Sequence, residues 1–84
     1  MTPDELVGAL EGGRILATDL PKDHEGVGEA YFRRVAQLVG SNPKAAIQLG
    51  ALWRGLIGRV DSPGYVWRAH AVVQRIQGKW LSAA

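Results

Sequence analysis

"SNPKAAIQLGALWRGLIGRVDSP", residues 41–63, decides how the rest of the chain is read. It opens and closes on the same punctuation, two small polar residues and then proline: "SNP" at 41–43 and "DSP" at 61–63. Side chains such as Ser, Asn and Asp satisfy the free N–H groups of a first helical turn. Proline just inside that turn gives up an N–H that has no partner anyway. Two helices are therefore predicted, over 43–59 and 63–81, with Ser41 and Ser62 as cap candidates. So short a connection predicts an antiparallel helical hairpin. Laid over one another, the segments pair Leu52 with Val72, Trp53 with Val73 and Leu56 with Ile76. A single match of this kind falls short of a repeat array, which needs about three stacked copies.

At 100° per residue, Leu49, Leu52, Trp53, Leu56 and Val60 share one sector of the 43–59 segment, and this predicts its core face. An adjoining sector holds Ile47, Gly50, Ala51, Arg54 and Gly58. Three glycines in one helix, at 50, 55 and 58, cost roughly 1 kcal/mol each against alanine, so something must offset them. The seam of Ile47, Gly50, Ala51, Arg54 and Gly58 is accordingly expected to receive one of the two helices of the N-terminal half or another copy of the protein. Arg54 would then reach an acidic residue. For Gly58, a helix end that frays accounts for the glycine equally well. A membrane-surface helix needs a broad cationic face opposite an apolar one, and here the polar strip is narrow. A DNA-reading helix-turn-helix needs a shorter supporting helix than this.

Working outward, "TPDE" at 2–5 reads as a capping box with Thr2 at the N-cap, Pro3 inside it and Glu5 reaching back. A helix over 3–11 follows, with Leu6, Val7 and Leu10 on its apolar face and "GG" at 12–13 ending it. A second helix is predicted over 25–39, with Tyr31, Val35 and Leu38 inward and Phe32 and Val39 beside them. Asp23 serves as its expected cap, and Glu29 lies one turn before Arg33, the spacing of an intrahelical ion pair. Between these helices "RILATDLPKDH" is irregular, and Ile15, Leu16 and Leu20 are expected to tuck it onto the core. Strand alternation is missing throughout. The reading is an all-α chain, one domain over 1–84, of about four helices.

Composition limits the function. Eighty-four residues support a modest core. Without cysteine there are no disulfides or thiolate metal sites. With no apolar run near the roughly 20 residues a span requires, and an acidic rather than basic start, the expectation is a cytoplasmic protein. Net charge of +2 hides a division. Residues 1–40 carry four Lys/Arg against seven Asp/Glu, net −3, and residues 41–84 carry six against one, net +5. Such a split suits attraction between two halves or two subunits. It also suits a nucleic-acid surface.

The last helix turns Val66, Ala69, Val73, Ile76 and Trp80 to its core side and Arg68, Arg75 and Lys79 to the opposite side, with Trp67 off the core. A basic stripe beside an aromatic grips phosphates and stacks bases. A solvated cationic face accounts for the same residues. "DHE" at 23–25 lacks further metal ligands, and Asp23 and Glu25 suit a cap and a first-turn charge. His70 reads as a boundary residue, and "GVG" at 26–28 lacks the setting of a phosphate loop. Neither a cofactor nor catalysis is expected. The predicted role is a non-enzymatic protein-interaction or assembly module, its partner another protein or a second copy. The alternative is a small nucleic-acid-binding protein using Trp67, Arg68, Arg75 and Lys79.

Overall fold

A computed structural model describes residues 2–20 and 25–83, with side chains described through Gly78. The architecture is all-α: α1 (Pro3–Glu11), α2 (Val27–Ser41), α3 (Pro43–Gly50), α4 (Trp53–Ile57) and α5 (Pro63–Ala83), with a 3-10 turn at Ala17–Asp19. The α1 boundaries are the predicted ones because the cap chemistry operates. Thr2 Oγ1 accepts from the Glu5 N–H at 3.2 Å, and Glu5 Oε1 accepts from the Thr2 N–H at 3.3 Å. These bonds hold the Glu5 carboxyl below its ordinary range. At the start of α3 it is Asn42 that caps, its Oδ1 accepting from the Ala45 N–H. Ser41 instead closes α2, donating to the Gln37 carbonyl.

The 25–39 helix begins later than expected. Its first residue is Val27, and the cap is Gly26 with φ +83°, left-handed backbone that glycine adopts without strain. The Gly26 N–H donates to Asp61 Oδ2 at 3.3 Å, which ties the start of α2 to the start of α5. Glu25 therefore precedes the helix, and Asp23 lies outside the described residues. Arg33 turns to Asp4 at 3.9 Å rather than back to Glu29. Its neighbour Arg34 grips Glu11 with two parallel bonds, 2.5 and 2.8 Å, and this holds the Glu11 carboxyl below its ordinary range. Both ion pairs lie within the acidic half, so they consume its charge locally.

Among the described residues one core runs through all five helices. It includes Leu6, Val7, Leu10, Tyr31, Val35, Leu38, Leu49, Leu56, Val60, Val66 and Val73. The α2–α5 interface is its largest seam. Leu20 joins this core and Ile15 packs against it, but Leu16 stays 66% exposed. Its backbone explains the outcome: the Leu16 N–H donates to Asp19 Oδ2, closing the 3-10 turn with Leu16 outside.

The predicted 43–59 helix is two helices. At Leu52 the backbone bonds tighten from the α spacing to the shorter one, with Ala51 N–H on the Ile47 carbonyl and Leu52 N–H on that of Leu49. A tighter turn advances each residue further around the axis and shifts the face that follows. Leu56 and Val60 remain in the core, whereas Leu52 and Trp53 come out half-buried. Gly55 then stands where a Cβ would lie 2.7 Å from Ala17 Cβ, so the missing side chain is what lets the 3-10 turn dock on α4.

Candidate protein-binding site

Contacts between the α3–α4 arm and α5 step backwards along α5. Gly50 meets Val73, and Trp53 meets His70 and Trp67. The hairpin is therefore antiparallel, and it creates a site along its seam. Trp53 lies against His70 with ring centroids 4.2 Å apart and against Trp67 at 5.2 Å, while Trp67 meets His70 edge-on at 6.1 Å. Arg54 places its guanidinium carbon 5.3 Å from the centre of the Trp53 ring, within cation–π range. Trp67 stays 53% exposed on top of this stack.

Next to the stack opens a groove of about 330 Å³ between α3 and α5. Gly50 and Val73 form its buried floor, Ile47 and Ala51 its α3 side, and Arg54, His70, Gln74 and Gln77 a polar rim. The lining holds no carboxylate, hydroxyl or thiol. It can stack, donate hydrogen bonds and attract negative charge, but it pairs no nucleophile with a base.

Four of the five seam residues expected from sequence meet here: Ile47, Gly50, Ala51 and Arg54. Their arrangement differs from the expectation at Gly50. A Cβ there would sit 2.3 Å from Val73 Cγ2, so α5 of the same chain already fills the position. Gly50 shapes the floor and is buried. Gly58 stands apart: α4 ends at Ile57, and Gly58 is its exposed cap with open space around it. Gly58 thus lies at a helix end and outside the seam.

The four candidate nucleic-acid residues do not form one surface. Trp67 leans to the α4 edge of α5, whereas Arg68 lies over Tyr65, 5.6 Å from its ring, and Tyr65 in turn meets Phe32 of α2. Stacking ring and nearest cation thus occupy opposite edges of the helix. Arg75 is exposed, and the Lys79 side chain lies outside the described residues. Of "DHE", Asp23 and His24 also lie outside them. Among the described residues no three His, Cys, Asp or Glu side chains gather as metal ligands would, and no helix is long and apolar enough to cross a membrane.

Sequence reasoning missed Trp53 and His70 as site residues. Laying one helix over the other paired Trp53 with Val73, but a hairpin folds the chain back rather than repeating it. Folding back near residue 61 brings Trp53 to 67–70 and Gly50 to 73, so the signal was present in the register. No family model matches the chain, and neither a curated protein nor a solved structure matches it.

Proposed function

We propose that this chain is a non-enzymatic protein-binding module whose working surface is the α3–α5 groove and the Trp53–Trp67–His70 stack. One observation carries the reading: a half-exposed tryptophan held on two other rings, both of which line an open groove that Arg54 flanks. Tryptophan and arginine are the residues that most often dominate the energy of protein interfaces. A ring already stacked loses little freedom on binding. Covering the rest of Trp67 removes on the order of 100 Å² of apolar surface from water, about 2–3 kcal/mol.

Trp67→Ala is expected to keep the helical circular dichroism and a cooperative melt, at a lower temperature because its contacts with Trp53 and His70 are lost, while abolishing capture of a specific protein from extracts of the native host. A variant that captures the same protein undiminished overturns this surface as the binding site. Arg75→Ala serves as the control and should capture normally. The nucleic-acid reading retains one observation, the outward, acid-free line of Arg68 and Arg75. If it holds, binding to oligonucleotides falls steeply with salt and on Arg75→Glu.

A further inference from the structure

The partner's chemistry follows from charge. Between residues 41 and 78 the only acid is Asp61, and its carboxylate accepts from the Gly26 N–H at the far end of α5 from the groove. Arg54 is exposed and, among the described residues, has no carboxylate partner. Its guanidinium lies over the Trp53 ring. The amides of Gln74 and Gln77 and the ring of His70 complete a rim that offers hydrogen bonds and carries no negative charge of its own. A ligand that complements this rim brings carboxylates.

A second copy of the chain is a poor source of them. Asp4 and Glu11 are paired with Arg33 and Arg34, Glu5 closes the first capping box, and Asp19 closes the 3-10 turn. Four carboxylates of the acidic half are thus already engaged within the chain, and of the described ones Glu29 on α2 stays exposed with no ion pair to Arg33. A nucleic acid is favoured less than a protein, because the groove meets the stack through one arginine, whereas a phosphate track needs a row of them. Arg68, the next cation along α5, faces the other edge.

We propose that the groove between α3 and α5 receives an acidic segment of a partner protein. One large apolar side chain of that segment rests against Trp67 and a carboxylate binds Arg54. This rests on the protein-binding reading above and adds the class of partner. The groove is open along α5, so an extended or helical segment can lie in it, seating its anchor as helix-in-groove ligands do. Arg54 presents a planar fork that matches a carboxylate, and its stacking on Trp53 holds the guanidinium ready for that pairing.

The probe is a displayed library of random peptides of about 16 residues, roughly 24 Å as a helix and enough to follow most of α5. Selection on the wild-type chain is followed by counter-selection on Trp67→Ala, and survivors are measured against wild type and Arg54→Glu. Survivors are expected to be rich in Asp and Glu around one Trp, Phe or Leu, and to bind Arg54→Glu at least roughly tenfold more weakly. Trp67-dependent peptides that are neutral or basic, or that ignore Arg54→Glu, overturn the acidic-segment proposal and leave the protein-binding reading standing. Absence of any Trp67-dependent peptide overturns the proposal too, and the host-extract capture then decides the broader reading by itself. A random single-stranded DNA pool is run in parallel. If it alone binds in a Trp67-dependent way, the partner is a nucleic acid and both readings fall.

Discussion

Gly50→Ala is expected to destabilise the chain by about 2 kcal/mol and to lower its melting temperature by roughly 8–16 °C. The new Cβ would lie 2.3 Å from Val73 Cγ2 and 3.1 Å from Val73 Cβ, so the whole isopropyl group obstructs it. Val73 is 4% exposed and β-branched, with one strongly preferred rotamer in a helix, and it cannot swing clear. Alanine's helical advantage over glycine, about 1 kcal/mol in a helix interior, counts for less at the last residue of α3. A leucine at 50 pushes α3 off α5 altogether. Against a total stability of roughly 4–13 kcal/mol for a chain of 84 residues, that threatens folding. Gly50 substitutions thus report on the hairpin before they report on any partner. Combining Gly50→Ala with Val73→Ala is the diagnostic measurement. Each change alone destabilises, and together they should cost at least about 1 kcal/mol less than the sum of the two, by urea denaturation. Strict additivity would show that the two side chains do not compete for one space.

Tyr31→Ala should cost still more, about 3–5 kcal/mol, because this ring is fully buried at the junction of α2, α3 and the core. Its hydroxyl donates to the Leu49 carbonyl at 2.8 Å. Tyr31→Phe isolates that bond. The Leu49 carbonyl keeps its other donor, the Leu52 N–H, so the expected loss is near 1 kcal/mol rather than the full cost of a stranded acceptor. The same burial gives a pH signature. Taking the phenolate out of water raises the Tyr31 pKa well above its ordinary value of 10. With the folded-state value raised, the unfolded chain loses its proton first. Stability attributable to this group is intact below about pH 10 and falls as pH climbs past it. Urea melts between neutral pH and pH 11 should show wild type losing stability on the alkaline side more steeply than Tyr31→Phe. Parallel losses in the two proteins would remove Tyr31 from the account.

Legibility followed the kind of interaction. Local chemistry was readable: the Thr2–Glu5 box and the prolines at 43 and 63 placed three helix starts because caps act within four residues, although Asn42 and not Ser41 caps α3. Burial of Leu6, Val7, Tyr31, Val35, Leu38, Leu56 and Val66 was readable from helical period. What escaped depends on contacts distant in sequence. Gly26 caps α2 because Asp61 reaches it from 35 residues away. Helix 43–59 breaks at Ala51–Leu52, directly after Gly50, a glycine that the helical period assigns to a docking seam rather than to a helix end. Gly55 looked like part of a polar strip because its neighbour, Ala17, lies in the least regular part of the chain. At the site, Ile47, Ala51 and Arg54 could be grouped from one helix's geometry, but the tryptophan–histidine stack needed the hairpin's register.

That break at Ala51–Leu52 has a thermodynamic consequence. One wall of the groove consists of an eight-residue helix and a five-residue helix. Isolated helices shorter than about 12–15 residues are marginal in water. These two are helical because α2, α5 and the 3-10 turn hold them, so local opening of this arm comes at a lower free energy than global unfolding. Whatever occupies the groove binds only the closed arm and draws on the same equilibrium. Occupancy should therefore slow amide hydrogen exchange across residues 43–57 as a unit, including positions no ligand could touch.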